Sequence, residues 1–571
     1  MNVNKRWQIK PRDESKIAAL KDVLHINENL CHILTSRGLT TYDEAKNFFR
    51  PSLNDLHDPF LMKDMQKAVS RIERAILHEE KILVFGDYDV DGTTAVASMY
   101  RFICSIHNPA KTDYYIPHRY KEGYGVSKAG IDFAHENYFS LIICLDCGIK
   151  SVELIAYARS LNIDFIIADH HLPDNSLPEA AAILNPKQTD CPYPYKDLCG
   201  CGIGFKLMSA LAQYFNLNES TYLNYIDLVA VAIAADIVPL TGENRILAHY
   251  GLKKINENPS PGVEALVTMG GAKKPLNISN VVFIIAPRVN AAGRMDDARR
   301  AVELFIQTNI DQAFEMAKPL QTDNTERKEI DKTITEEALN LIASDPSFME
   351  KKSCVLYKED WHKGVVGIVA SRVIEQHYKP TIVLTQSNNI ITGSARSVKG
   401  FNLFEAVYAC REHLLHYGGH FAAAGLSLLP ENLDAFIEKF ESAVSGSIEE
   451  HMLVPEIEID CEIELNDTNY SMFNIIRQLE PFGPENMKPV FLTRNVRDNG
   501  YAKLLKEKHL KFLACKNGVK MDAIAFNMAQ KFDVLKNNTS IDIVYTLDEN
   551  DYLGNKSIQL NIVDLRPSDT N

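Results

Sequence analysis

The sequence predicts an α/β protein of several domains: a catalytic domain on a parallel sheet, a second α/β domain joined to it by a long helix, and a C-terminal β-barrel. Three observations lead there. The chain has 571 residues, about twice what one hydrophobic core sustains. Short continuous apolar runs alternate with longer helical patterns, as in parallel strands covered on both faces. From Val454 onward brief strands alternate apolar and polar residues instead, as in a small barrel.

The elements follow in order. After an N-terminal helical stretch, Ile82-Leu83-Val84-Phe85 reads as a buried strand and Thr93 to Ile106 as the helix behind it. Leu141 to Leu145 is a second strand, Ser151 to Ser160 a helix, and Phe165-Ile166-Ile167 a third strand. Ligands of such sheets lie at the carboxyl ends of the strands. Asp311 to Ala343 is charged, has no glycine and has one proline, Pro319. The ~24 residues after Pro319 would span roughly 36 Å as a helix, enough to connect two lobes. Strands near Cys354 to Tyr357 and Thr381 to Leu384 open the second α/β segment, and Glu456 to Ile459, Ile541 to Tyr545 and Ile558 to Asn561 belong to the barrel. The expected division is 1–310, 311–343, 344–450 and 451–571.

Composition narrows the class. With 46% hydrophobic and 24% charged residues and no run of ~18–20 apolar residues, a membrane span is excluded. Met1 to Lys10 is polar and basic, without the apolar core of a signal peptide, so a cytoplasmic location is expected. Eleven scattered cysteines, an odd number, fit a reducing compartment. Cys144/Cys147 and Cys199/Cys201 have the close spacing of zinc ligands, but the first pair lies on and just after an apolar strand and no second pair follows at ribbon-like spacing. A net charge of −14 argues against a passive nucleic-acid binder if the charge is spread evenly.

The chemistry starts at Gly86-Asp87-Tyr88-Asp89-Val90-Asp91-Gly92, directly after the first strand. Three carboxylates at alternate positions repel one another unless a cation holds them together. An EF-hand shares that spacing but needs a later glutamate and flanking helices, whereas this run follows a strand and opens a helix. Asp146-Cys147-Gly148 follows the second strand, Asp169-His170-His171 the third, and Asp236 ends a very apolar helical run. Each alone reads as a cap or a surface residue; four after consecutive elements project to one sheet edge. Carboxylates with imidazole suit Mn²⁺, and Mg²⁺ after it, better than zinc. There are enough for two ions about 3.5–4 Å apart, the arrangement that activates water and clamps phosphoryl oxygens.

These four motifs, in this order, resemble those of the DHH phosphoesterase superfamily, which takes its name from the third. Within it, the chain is most similar to the single-strand-specific DNA exonuclease branch, over nearly its whole length. The resemblance implies that Asp89, Asp91, Asp146, His170 and Asp236 are metal ligands with Asp146 bridging, and that His171 contacts the scissile phosphate or orients the nucleophile. The DHH pyrophosphatases carry a histidine four positions before the residue matched by Asp89. Phe85 stands there in this chain, so the first metal site differs and Asp87 is the expected substitute.

Further motifs point to a grip on the substrate. Pro287 to Arg294 places Arg288, Asn290 and Arg294 around a small-residue turn and matches a signature of the same branch. Trp361 to Arg372, Gly393 to Ser397 and Gly418 to Gly425 combine glycines with Ser, Arg and His, the composition of an anion cradle. They resemble the substrate-binding domain that accompanies DHH domains, which implies that Arg372, Ser394, Arg396 and His420 hold the strand near its end. Leu479 to Asn486 matches the segment leading into an OB-fold domain of that branch. Beyond it, Arg494 to Lys520 carries eight Lys or Arg, Lys508 and Lys511 among them, against Asp498 and Glu507, with Tyr501 and Phe512 interspersed. That suits a strand-tracking groove with stacking rings.

The expected function is therefore metal-dependent hydrolysis of single-stranded DNA from an end in repair and recombination, 5′→3′ by the resemblance, with Mn²⁺ or Mg²⁺ in a two-metal site. A monomer, with a helicase and a single-strand-binding protein as partners, is the expected context. A small-substrate phosphodiesterase or pyrophosphatase of the same superfamily is the alternative, but it has no need of a basic barrel. A catalytically dead scaffold should have lost ligands, and all four motifs keep theirs.

Overall fold

The computed structural model describes residues 5–295, 297–536, 540–552 and 554–568. The chain opens with a short strand, β1 (Arg6–Ile9), and the helices Glu14–Leu24, Glu28–Thr35 and Tyr42–Phe49. The catalytic lobe is built on β2 (Ile82–Gly86), β3 (Thr112–Tyr115), β4 (Leu141–Leu145), β5 (Asp164–Ala168) and β6 (Ala182–Leu184). All five run parallel in the order β3-β2-β4-β5-β6. β2 and β4 are buried along their whole length, which is why they read as unbroken apolar runs. The chain leaves β2 for β3 on one side and returns for β4 on the other, so the strand order reverses between β2 and β4. A crevice opens at the carboxyl ends of strands at such a reversal.

The expected connector is one helix, Ile310–Ser344, of 35 residues, about 52 Å long. It includes Pro319 instead of starting after it. Ala313, Ala317 and Leu320, on both sides of the proline, are buried in the catalytic core. That packing outweighs the one lost hydrogen bond. Ile334, Ala338 and Ile342, near the other end, belong to the core of the second lobe. One rigid rod thus serves two cores.

The second lobe carries β7 (Cys354–Tyr357), β8 (Thr381–Ser387), β9 (Ile390–Arg396), β10 (His416–His420) and β11 (Ala423–Leu428), ordered β10-β11-β9-β8-β7 and antiparallel except for β7 with β8. The C-terminal part has β12 (Glu456–Ile459), β13 (Cys461–Glu462), β14 (Phe491–Asp498), β15 (Lys503–Leu505), β16 (His509–Lys516), β17 (Val519–Ala525), β18 (Ile541–Tyr552) and β19 (Asn555–Pro567). Its seven-stranded sheet curls until β14 also pairs with β16, Arg497 opposite Cys515.

Two expectations change here. The sequence reading attaches the N-terminal helical segment to the catalytic domain, but Ile17, Leu20, Leu30 and Ile33 share one core with Phe491, Phe512 and Tyr545 of the C-terminal sheet. β1 pairs in parallel with β12, and the Trp7 indole donates to Asp564 at 2.9 Å. Phe512, expected as a stacking ring, is 2% exposed. Residues of β16 alternate between core and surface, and Phe512 falls with Leu510 and Ala514 on the inner face. Tyr501 does stand out, 65% exposed.

Arg245, buried in the helix Gly242–Glu257, ties three parts of the chain together. Its guanidinium donates to the Phe48 carbonyl at 3.0 Å, the Leu479 carbonyl at 2.8 Å and the Glu480 carbonyl at 2.9 Å. Lys399 closes the other side by pairing with Glu456 and Glu458. The chain is a closed circuit of lobes. Truncation to Arg245→Ala would strand several buried carbonyls at about 1–3 kcal/mol each. Its thermal unfolding midpoint, followed by scanning calorimetry, should fall by several degrees; a midpoint within about one degree of the parent would contradict this role for Arg245.

Candidate metal centre

The acidic motifs stand where the strands end. Asp87 follows β2, Asp146 follows β4 and Asp169 follows β5. The loop from Asp87 turns tightly into the helix Val90–Ile106, and a methyl on Gly92 would lie 2.4 Å from the Asp87 carbonyl oxygen. Only glycine lets the turn close. Asp89 caps that helix, its carboxylate accepting from the Gly92 amide at 3.0 Å. Asp91 lies inside the first turn, with its two oxygens accepting from the Gly200 and Cys201 amides, each at 2.7 Å. Those amides open the buried helix Gly200–Tyr214, whose positive end faces the carboxylate. A methyl on Gly200 would meet Asp146 Oδ1 at 2.5 Å, so the Cys-Gly-Cys-Gly run brings a helix N-terminus up against two carboxylates. Cys199 is its cap, not a metal ligand.

Asp146 adopts a left-handed backbone, φ 60°, tolerable for Asp and costly for bulkier residues. His170 Nε2 is 3.2 Å from Asp146 Oδ1, 3.6 Å from Asp236 Oδ2 and 3.9 Å from Asp91 Oδ2. Two overlapping groups are close enough to hold a cation: Asp91, His170 and Asp236, and Asp146, His170 and His171. Neither contains a cysteine. The Cys144 and Cys147 sulfurs instead contact each other at 3.4 Å inside the core. Asp87 accepts from the Gly125 amide at 3.0 Å through Oδ1. Its Oδ2 and Asp146 Oδ1 are buried and, among the described residues, make no hydrogen bond; the His170 nitrogen beside Asp146 Oδ1 does not meet it in hydrogen-bond geometry. Acceptor atoms buried with nothing to accept from fit a site completed by cations.

Burial first, then neighbouring carboxylates, push these acids up. Asp91 is raised to about 7 and Asp236 to about 8, while Asp87 and Asp146 stand well above the ordinary carboxylate range. Burial drives His170 down to about 3, so its imidazole is neutral and free to ligate. His171 goes the other way: burial pulls it down, but Asp169 outweighs this and raises it. The Asp169 carboxylate accepts from His171 Nδ1 at 2.7 Å and from the Ile149 amide at 3.0 Å. His171 Nε2 lies 3.1 Å from the Tyr124 hydroxyl.

Opposite the acids, Arg119, Arg294, Arg396, Asn290 and His420 line the same cleft of about 460 Å³. Arg396 and His420 come from the second lobe, and Arg294 donates across to the Gly364 carbonyl at 3.2 Å. Ser394 accepts from Arg396 at 2.8 Å and so orients it. Among the described residues none of the three arginines pairs with a carboxylate. Arg288 is not brought to the cleft; it is buried and donates to Gln321 of the long helix. Arg372 pairs with Asp331 at 2.7 Å beside the cleft. Lys511, on β16, and Lys508, in the turn between β15 and β16, do not line it. Sequence reasoning missed Arg119 and Tyr124; the glycines around Tyr124 in the loop after β3 were the available signal.

Comparison with known proteins adds an independent line. The DHH family N-terminal domain matches residues 81–233, the DHHA1 domain 350–446 and the RecJ OB domain 459–564. The chain is 35% identical to the single-stranded-DNA-specific exonuclease RecJ of Bacillus subtilis, over 99% of this chain and 71% of that protein. It is 33% identical to the RecJ of Escherichia coli, over 89% and 91%. The structure is similar to crystalline RecJ of Thermus thermophilus in complex with Mn²⁺, with a TM-score of 0.85, 26% identity, and coverage of 99% and 80%. No helix among the described residues is long and apolar enough to cross a membrane.

The raised acids set a pH dependence. Folding lifts Asp91 and Asp236 above their ordinary values, so the native state binds more protons than the unfolded chain. The cation-free fold therefore loses stability as pH rises through about 4 to about 8. Bound Mn²⁺ opposes this by displacing those protons. Titration calorimetry in buffers of different ionisation enthalpy should show proton release on Mn²⁺ binding near pH 7 and affinity rising towards pH 8. Binding without proton release would contradict the carboxylate cluster.

Proposed function

The chain belongs to the RecJ family of DHH phosphoesterases, and we propose on that footing that it is a metal-dependent exonuclease of single-stranded DNA, hydrolysing phosphodiester bonds to release nucleotides from a strand end. The observation that carries the reading is the meeting of acids and arginines in one cleft. Asp89, Asp91 and Asp236 line the cleft with Asp146 and His170 gathered beside them, and it is lined as well by Arg119, Arg294 and Arg396, from both lobes, which pair with no carboxylate among the described residues. The direction 5′→3′, and a place in repair and recombination beside a helicase and a single-strand-binding protein, follow from the family resemblance.

Asp89, Asp91, Asp146, His170 and Asp236 would hold Mn²⁺ or Mg²⁺ ions, with Asp87 as a further carboxylate anchored on Gly125. When bound, the ions lower the pKa of an attacking water and neutralise phosphoryl charge. The protein's own groups do the rest. Arg119, Arg294 and Arg396, without carboxylate partners among the described residues, donate to the phosphate oxygens, and Ser394 keeps Arg396 aimed. His171, turned and kept protonatable by Asp169, donates to the scissile phosphate or the departing oxygen. Tyr124 holds that ring from the other side. His420, exposed at the rim, meets the strand as it leaves.

Asp146→Ala should lower Mn²⁺-dependent nucleotide release at least about a hundredfold with an unchanged circular-dichroism spectrum. Full activity in a folded Asp146→Ala protein would contradict the assignment. A clear preference for a dinucleotide over a long strand would shift the reading to a small-substrate phosphodiesterase.

A further inference from the structure

Asp236 is the last residue of the helix Ile226–Asp236, and residues 237–241 connect it to the helix Gly242–Glu257. The first of them, Ile237, has a left-handed backbone, φ 59° and ψ 32°. A β-branched residue is rare and costly there, and it persists only where its surroundings over-determine it. Its own side chain supplies no reason, since Ile237 is 66% exposed. The reason lies in what holds the backbone on either side.

On one side is the metal centre, with Asp236 Oδ2 3.6 Å from His170 Nε2. On the other, the connection is anchored twice. The Pro239 carbonyl accepts from the Asn244 side-chain amide at 3.1 Å and from the Tyr195 hydroxyl at 3.3 Å, both within the catalytic lobe. The Leu240 amide donates to the Pro484 carbonyl at 2.9 Å, in the segment that leads into the C-terminal sheet. The Leu240 side chain, 1% exposed, packs under Gly483, where an added methyl would stand 2.5 Å from it. One anchor therefore comes from outside the catalytic lobe.

That outer anchor is built to be stiff. Asn486 is fully buried, and its amide donates to the Leu479 carbonyl at 2.8 Å and the Pro481 carbonyl at 2.9 Å, which draws residues 479–486 into a closed loop. Its Oδ1 accepts from Arg37 of the N-terminal segment at 2.9 Å, while Arg245 holds the Leu479 and Glu480 carbonyls from the catalytic side. The same helix start also serves Asp91. Asn244 donates to the Asp197 carbonyl at 2.5 Å, shortly before the Gly200 and Cys201 amides that hold the Asp91 carboxylate.

We propose that residues 479–486 are a positioning strap for the metal centre: through Leu240 they keep Ile237 left-handed and Asp236 turned towards His170, so that cation binding and seating of the C-terminal part favour each other. The proposal rests on the metal site of the exonuclease reading and adds what aims one of its ligands. Leu240 and Asn486 are positioning residues, and neither lines the cleft. With the strap loosened, Ile237 relaxes to an ordinary φ and the last turn of its helix, with Asp236, is re-aimed. Outer partners that orient a metal ligand commonly change metal affinity ten- to a hundredfold, and the coupling acts equally in both directions.

The test is Mn²⁺ binding by titration calorimetry at one fixed pH, on the full chain, in the parent, in Asn486→Ala and in Asn486→Ala combined with Ile237→Asn. Asn486→Ala should weaken Mn²⁺ binding about tenfold. Asn adopts the left-handed backbone at little cost, so Ile237→Asn should bring the affinity back to within about twofold of the parent although it restores no contact to the strap. A merely structural role for Asn486 would not give that rescue. In the reverse direction, saturating Mn²⁺ should slow hydrogen exchange of the Leu240 amide in the parent and not in Asn486→Ala. If Asn486→Ala does not fold, Gly483→Ala, whose methyl presses only on the Leu240 side chain, replaces it with the same expected weakening and rescue. Parent-like affinity in the folded strap variant, or a loss that Ile237→Asn leaves unrestored, would overturn the strap. A parent that binds no Mn²⁺ would instead refute the metal site beneath it.

Discussion

Everything in this structure is arranged around the cost of holding several carboxylates within a few ångströms of one another inside a protein. Asp91, Asp146 and Asp236 surround one imidazole nitrogen at 3.2–3.9 Å, where like charges repel strongly and little water screens them. The fold offsets part of that cost with backbone amides. Gly200 and Cys201 serve Asp91, Gly125 serves Asp87 and Ile149 serves Asp169. The rest falls to bound protons or to bound cations. Glycines at 92 and 200 follow from the same demand, because a side chain at either would occupy the space in which backbone and carboxylate meet.

The second requirement is a wall of opposite charge facing the acids, and here the long-range architecture matters. The catalytic lobe cannot supply all of it. Arg396 and His420 arrive from the second lobe, whose distance is set by a helix embedded at both ends in separate cores. The N-terminal helices and the C-terminal part complete the circuit through Arg245, which holds the Phe48 and Leu479 carbonyls, and Lys399, which pairs with β12. A cleft bounded by a closed circuit is shaped for a flexible single strand with a free end, and less so for a stiff duplex.

Much of the site was legible in the sequence because parallel α/β sheets place functional residues just past strand ends. Asp87, Asp146 and Asp169 each follow an unmistakable apolar run, so their order alone located the crevice. What stayed hidden depended on distant pairing. Nothing local in Arg6–Ile9 announces β12, 450 residues away, so the N-terminal helices were assigned to the wrong neighbour. Phe512 was misjudged because a charge count ignores the two-residue period that turns it inward. Arg288 and Arg294 look alike in sequence, yet six positions on a helix point one at Gln321 and the other at the second lobe. Arg119 and Tyr124 lie in a loop whose course only the folded chain reveals.

The central claim is that cations and arginines act together on the end of a single strand. A time course on one oligonucleotide, labelled at either terminus and presented single- and double-stranded with Mn²⁺ or Mg²⁺, tests it most directly. The account predicts that label at one end, the 5′ end by family resemblance, appears at once as short product, while label at the other stays on a steadily shortening strand. The duplex should be resisted and activity lost without a divalent ion. Early internal fragments from both labels, or equal attack on the duplex, would contradict it.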